Sequence, residues 1–343
     1  MSERTIGQRS ALSSGYDAIL LDLDGTVYRG GSALPGAPEA VIRLRHDGTA
    51  LVFVTNNASR SPEQVAEHLT GLGVVAAAPE VATSAQAAAV VLADRLAPAA
   101  RVLVVGTSAL ADEVTTAGLA PVRRADDDPA AVVQGHSPDT GWRELAEACI
   151  AIRADRLWVA CNVDPTLPTE HGELPGNGAM VAALRAATGR EPVVAGKPAR
   201  PLVDASVAKA GARRALMVGD RLDTDVAGAV AAGLDSLLVL SGITDPATLL
   251  AAPAGHRPTY LAADLGGLAV GTEEVRIRDR GGWTCEVTDG ELVLQARGGG
   301  DPVDALRALC ACWWADGEGT VRVIGSGSGA QQAVRALGLD AGR

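Results

Sequence analysis

Short apolar runs recur along the chain, and several stop abruptly on a polar or acidic residue. Residues 18–21 run into Asp22, residues 50–54 into Thr55, and residues 215–218 into Gly219-Asp220. Unbroken apolar runs of this length, bounded by turn residues, predict strands buried on both faces, as in a parallel sheet. Between them the apolar spacing changes to a helical period. It predicts a helix over 37–46, entered through Pro35-Gly36, and a second opened by Ser61-Pro62-Glu63-Gln64. Serine at the N-cap, proline at the first position and glutamine at the third form a helix start, and Gly71-Leu72-Gly73 forms a stop. Further on, helices over 201–210 and 224–232 alternate with strands over 215–219, 236–240 and 259–261.

The middle of the chain, 84–189, has an alternation of its own. Helices are predicted over 84–96, 110–117, 142–154 and 177–187, and strands over 101–106, 131–134 and 157–161. Such a block can bury its own core. The last part, 273–343, changes character. Asp289-Gly290 between runs at 283–287 and 291–295 signals a hairpin, followed by a helix over 305–314, a strand over 320–324 and a helix over 330–337. The expected fold is α/β: a doubly wound parallel-sheet core over 16–83 and 190–265, an inserted α/β domain over 84–189, and a small α+β unit over 273–343 that folds separately. Residues 1–15, polar and without the apolar stretch of a signal peptide, are expected to form a flexible leader.

Candidate chemistry collects at the strand ends, where open α/β sheets bind ligands. Asp22 and Asp24 stand two residues apart and so share one side of an extended backbone. One carboxylate can attack an electrophile such as phosphorus while the other moves a proton. Gly25 then allows a sharp turn. A second acidic cluster, Gly219-Asp220-Arg221-Leu222-Asp223-Thr224-Asp225, follows another buried run. Acids at two strand ends point to a hard cation held by oxygens. An isolated acidic loop would mean no more than a solvated surface, and Asp223 or Thr224 also suits a helix cap. Lysine occurs only at Lys197 and Lys209, while arginine is abundant, so Gly196-Lys197-Pro198 departs from the chain's own bias. A compact ammonium suits a site beside a phosphoryl group that a planar guanidinium fits poorly.

These residues carry a resemblance. Asp22-Leu23-Asp24-Gly25-Thr26, Thr55 in Val54-Thr55-Asn56-Asn57, Lys197 in Gly196-Lys197-Pro198, and Gly219-Asp220 with Asp225 match in order the four motifs of the haloacid-dehalogenase superfamily. The chain is similar to its NagD-like phosphatases with a large cap, and within them to glycerol-3-phosphate phosphatases of actinobacteria. The likeness spans roughly 16–265. It implies a Rossmann-like core with the cap inserted between the second and third motifs, Asp22 as nucleophile, and Asp24 as proton carrier. It also implies Mg²⁺ held by Asp22, the Asp24 carbonyl and Asp220, with Asp225 in support. Thr55, Asn56, Asn57 and Lys197 would bind the phosphoryl group. In the cap, Asn162 and Asp164 would face the substrate; as Asx residues they equally suit a turn. The implied reaction is hydrolysis of a small phosphate ester, glycerol 3-phosphate first. The rivals are 2-phosphoglycolate, a sugar phosphate, a nucleoside monophosphate or pyridoxal phosphate. A catalytically silent sensor using the tail is the alternative of another class. Arg322 to Gly329, a strand and a glycine-rich turn, faintly resembles the acetyl-coenzyme A loop of GNAT enzymes.

Composition narrows the partners. The net charge of −11, without any Lys/Arg block, argues against nucleic acid or an anionic membrane. No apolar run reaches the ~20 residues of a membrane span. Five scattered cysteines without a CxxC pair indicate neither zinc nor a disulfide framework, so a cytoplasmic setting is expected. A homo-oligomer remains compatible with all of this, and no ligand of the tail is legible.

Overall fold

The structure, a computed structural model, describes residues 10–169 and 172–340. The chain forms two compact units, one of residues 1–29, 33–50 and 213–343, the other of 30–32 and 51–212.

In the first unit the strand Ala18–Asp22 pairs in parallel with Ala215–Gly219, Ala18 opposite Ala215 and Leu21 opposite Val218. Asp235–Val239 and then Tyr260–Ala262 extend the sheet, again in parallel. The predicted continuous apolar runs are buried as expected: Ile19, Leu20, Leu21, Leu216, Met217 and Val218 have no exposed surface. The tail forms a hairpin, Trp283–Thr288 with Glu291–Ala296, to which Val323–Ser326 adds in parallel. The helices Pro302–Asp316 and Ser328–Ala336 complete it.

The tail, expected to fold separately, packs against the core. Leu238, Leu249, Leu250 and Leu261 of the core share one buried cluster with Trp283, Leu292, Leu306 and Leu309 of the tail. Polar contacts reinforce it. The buried Arg307 donates through Nε and Nη2 to the Leu261 carbonyl, at 2.9 and 2.7 Å, and Trp314 Nε1 donates to the Leu250 carbonyl at 3.0 Å. An arginine that donates to an edge-strand carbonyl seals backbone that water would otherwise have to satisfy. The leader is also shorter than predicted. Leu12 is fully buried in the turn Leu12–Gly15, and its N–H reaches the Val270 carbonyl. One apolar side chain with a place to go orders this stretch. Residues 1–9 lie outside the described residues.

In the second unit Ala50–Thr55 pairs in parallel with Val81–Thr83, Thr55 opposite Thr83. The helix Pro62–Gly71 opens with the predicted capping box: Ser61 Oγ accepts the Gln64 N–H, and Gln64 Oε1 accepts that of Ser61. The inserted block is a five-stranded parallel sheet in the order Val193–Val194, Leu157–Ala160, Ala131–Gln134, Arg101–Val105, Ala120–Val122. Val193–Val194 belongs to this sheet, so the inserted block runs past the boundary at 189 placed from sequence. A hairpin, Thr166–Thr169 with Gly172–Pro175, projects from it. His171 lies outside the described residues.

Candidate active site

The first unit holds the acidic residues. Its strand Ala18–Asp22 delivers Asp22, half-buried, at its carboxyl end. Its parallel neighbour delivers Asp220, which is fully buried. Asp225 follows in the helical turn Leu222–Val226, 1 % exposed, its Oδ2 accepting the Arg221 N–H at 3.2 Å. Carboxylate oxygens of Asp22, Asp220 and Asp225 lie within 4.8 Å of one another. At an effective dielectric near 20, each such pair of charges repels by about 3.5 kcal/mol or more. A set of hard oxygen donors this close fits a divalent cation such as Mg²⁺ or Ca²⁺. The resemblance gives Asp225 only a supporting role; the geometry makes it a full member of the cluster. Asp24 is exposed and accepts a hydrogen bond from the Tyr28 hydroxyl at 3.2 Å. A carboxylate in contact with solvent and beside a tyrosine hydroxyl is suited to passing a proton. Asp223 does not join the cluster. Burial pushes its carboxyl up, but the hydrogen bonds from Arg221, at 2.7 and 3.0 Å, override this and hold it below the usual range.

Sequence reasoning missed a loop in this unit. Ser241 to Thr244, just beyond the strand Asp235–Val239, closes over Asp220. The Ile243 N–H donates to Asp220 Oδ2 at 2.7 Å, and the Thr244 hydroxyl to the Asp220 carbonyl at 2.6 Å. A Cβ on Gly242 would lie 1.8 Å from Asp220 Oδ2, and one on Gly25 would lie 2.4 Å from the same atom. Ser241 Oγ donates to the Gly25 carbonyl, and Arg29 holds the Ser241 and Gly242 carbonyls. The available signal was a serine-glycine pair directly after a buried strand, the same pattern that marked Gly25.

The second unit holds the remaining candidates. Thr55 is buried at its strand end, where its Oγ1 accepts the Asn57 N–H at 3.1 Å. Asn57 Oδ1 accepts from the Ser59 N–H and hydroxyl, which folds the following loop. The Lys197 side chain is 2 % exposed and its Nζ donates to the Val54 carbonyl at 3.4 Å. Asn56 and Asn162 turn their side-chain amides to the protein's own groups. Asn162 is buried, its Nδ2 donating to the Asn56 carbonyl at 2.6 Å and its Oδ1 accepting the Asp164 N–H. Asn56 bonds the backbone of Lys197 at both ends of its amide and donates to the carboxylate of Asp164. A short side-chain amide matches the backbone's own spacing, so it is drawn to local main-chain groups before a ligand arrives. Asp22, Asp220 and Asp225 thus gather in one unit, and Asn56, Asn162, Asp164 and Lys197 in the other.

Residues 19–120 match the family model described as haloacid dehalogenase-like hydrolase, and residues 194–268 a companion model, HAD-hydrolase-like. Residues 280–339 match a GCN5-related N-acetyltransferase like domain. The chain is 50 % identical over 311 residues to the D-glycerol 3-phosphate phosphatase of Mycobacterium tuberculosis, covering 89 % of this chain and 87 % of the relative. The chain belongs to the haloacid dehalogenase-like hydrolases. Among solved structures it resembles the glycerol phosphate phosphatase Rv1692 of M. tuberculosis in complex with magnesium, with TM-score 0.93 and 48 % identity over 97 % of this chain and all of that one. A second structure of that protein is a complex with calcium. A shorter haloacid dehalogenase-like relative, the acid sugar phosphatase of Staphylococcus saprophyticus, is 34 % identical over 252 residues, 73 % of this chain and 95 % of its own. The core and cap architecture expected from the resemblance is that of these neighbours, with the carboxylate cluster at the strand ends that carry the first and fourth motifs.

Proposed function

We propose that this chain is a Mg²⁺-dependent phosphomonoesterase that hydrolyses glycerol 3-phosphate to glycerol and phosphate. One observation carries the reading: Asp22 ends a buried strand within 4.8 Å of two buried carboxylates, Asp220 and Asp225, in a chain half identical to a glycerol 3-phosphate phosphatase. Asp22 attacks phosphorus, and the ester P–O bond breaks. Asp24 protonates the departing glycerol oxygen and then takes a proton from the water that cleaves the aspartyl-phosphate, restoring both carboxyl groups. Asp22, Asp220, Asp225 and the Asp24 carbonyl would hold the cation, which when bound neutralises phosphoryl charge. Thr55 and the backbone amides after it would donate to the phosphoryl oxygens, with Lys197 adding the one buried ammonium the motif set provides.

The setting inferred is a reducing, cytoplasmic one, supported by five thiols that are all free. Among the described residues no helix is long and apolar enough to cross a membrane.

The test is phosphate release from glycerol 3-phosphate, 2-phosphoglycolate, a hexose phosphate, pyridoxal phosphate and a nucleoside monophosphate, at one pH and saturating Mg²⁺. Glycerol 3-phosphate should show the highest kcat/KM. A rival ahead by more than about tenfold, some 1.4 kcal/mol of transition-state preference, overturns the substrate. Absence of p-nitrophenyl phosphate hydrolysis, with Mg²⁺ or with EDTA, overturns the enzyme and favours the sensor.

A further inference from the structure

The second unit contains a polar junction around the backbone of Lys197 whose side-chain contacts the reaction scheme above does not use. Its centre is Asn56, one residue beyond the strand Ala50–Thr55. The Asn56 side chain closes on Lys197 as one backbone segment closes on another. Its Oδ1 accepts the Lys197 N–H at 2.8 Å, and its Nδ2 donates to the Lys197 carbonyl at 3.0 Å. The second Nδ2 hydrogen points at Asp164, 3.1 Å from Oδ2 and 3.4 Å from Oδ1. A primary amide has two hydrogens to give, and both are committed. The Asn56 carbonyl accepts in turn from Ser84 Oγ, at 2.5 Å, and from Asn162 Nδ2, at 2.6 Å.

Each of these partners follows the end of a strand. Ser84 opens the first helix after Val81–Thr83, Asn162 and Asp164 follow the strand Leu157–Ala160, and Lys197 follows Val193–Val194. Glycines show that the fit is close. A Cβ on Gly196 would lie 2.6 Å from Asn56 Oδ1 and 2.5 Å from the Cys161 carbonyl. One on Gly178 would lie 2.2 Å from the Val163 carbonyl, and one on Gly176 would lie 2.4 Å from that of Asp164. The Asp164 loop is therefore wedged in place from behind.

We propose that Asn56 is a positioning residue that ties the carboxylate of Asp164 to the backbone of Lys197. The two set the lysine's position for phosphoryl transfer and do not contact the leaving group. A charged acceptor strengthens the hydrogen bond it receives, so Asp164 pulls on the same amide that fixes the lysine's backbone. Displacing an ammonium by a fraction of an ångström from a developing charge weakens the stabilisation it gives in the transition state. The inference rests on the role given to Lys197 in the proposed function.

The experiment compares two substrates with unlike leaving groups, glycerol 3-phosphate and p-nitrophenyl phosphate, in the full-length chain. Asn56→Ala should lower kcat by about tenfold or more with both esters, leaving the Mg²⁺ half-saturation unchanged. Asp164→Ala should lower kcat with both as well. Asp164→Asn, which keeps an acceptor in place and leaves the loop intact, should recover most of that loss. The double variant Asn56→Ala/Asp164→Ala should be no worse than Asn56→Ala alone, because both changes break one connection. Loss confined to glycerol 3-phosphate on Asp164→Ala, with p-nitrophenyl phosphate untouched, overturns the proposal and makes Asp164 a contact of the leaving group. Losses that multiply in the double variant overturn it too. Lys197→Met separates the two readings. If it retains full activity, the role of Lys197 itself is wrong; if it is inactive while Asn56→Ala is unaffected, only the coupling is wrong.

Discussion

Asp22 and Asp24 have the same functional group and unlike surroundings, half-buried against exposed. In the proposed scheme that contrast separates the nucleophile from the proton carrier. Asp22→Asn removes the attacking oxygen with little change of shape, and turnover should fall by at least about a thousandfold while the far-ultraviolet spectrum stays the same; substantial residual activity would assign the attack elsewhere. The loop over Asp220 makes a second prediction at this scale. A methyl group at Gly242 would lie 1.8 Å from Asp220 Oδ2, so loop or carboxylate must shift. Gly242→Ala should raise the Mg²⁺ half-saturation about tenfold, with partial recovery at high Mg²⁺, and weaken Ca²⁺ binding in calorimetry by a similar factor. Equal affinities in variant and parent would show that the loop does not position the ligand. Asp22, Thr55 and Asp220 were legible from sequence because each ends a buried apolar run, and that position dictates where the side chain emerges. The side-chain directions of Asn56 and Asn162 were not. An asparagine next to a turn has backbone partners and ligand partners of equal chemistry, and only coordinates show which it has taken.

Among the elements, legibility followed length. The buried strands Ala18–Asp22, Ala131–Gln134 and Ala215–Gly219 have the bounds their apolar runs imply. Ala120–Val122 and Val193–Val194 are too short to show a period, and the former carries Pro121. The hairpin Thr166–Thr169/Gly172–Pro175 is mostly exposed, so no alternation announced it. The helix Ser108–Thr116 carries a titration prediction. Burial pushes the carboxyl of Glu113 up, Glu63 adds to the effect, and Lys209 opposes it. A carboxyl whose pKa is higher folded than unfolded binds more protons in the folded state. Its contribution to stability therefore falls as pH rises from the unfolded value through the folded one, and stays low above it. Glu113→Gln removes that loss. At neutral pH the variant should melt roughly 2 °C above the parent, and the difference should vanish in acid. A variant that melts lower at neutral pH would mean that the Lys209 attraction outweighs burial.

At the scale of the molecule, composition and alternation disclosed an α/β protein with an insertion, but not how the tail meets the core. Apolar positions on two elements can be read from sequence; which of them cover each other cannot. A chain ending at Val270 would uncover Leu238, Leu249, Leu250 and Leu261. Exposed apolar area of that kind costs on the order of 25 cal/mol per Å². The truncated chain should be insoluble or melt far below the parent, and a soluble, active product would restore the separately folding tail. The same shared cluster has an optical consequence. The five tryptophans are Trp142, Trp158, Trp283, Trp313 and Trp314, and none lies in the strands that carry Asp22 or Asp220. Trp283 is buried in the cluster, and Trp313 and Trp314 pack against it. Indole emission from the tail therefore reports on a catalytic core whose strands hold no tryptophan of their own, and its red shift during denaturation will mark the loss of the carboxylate cluster some distance along the chain.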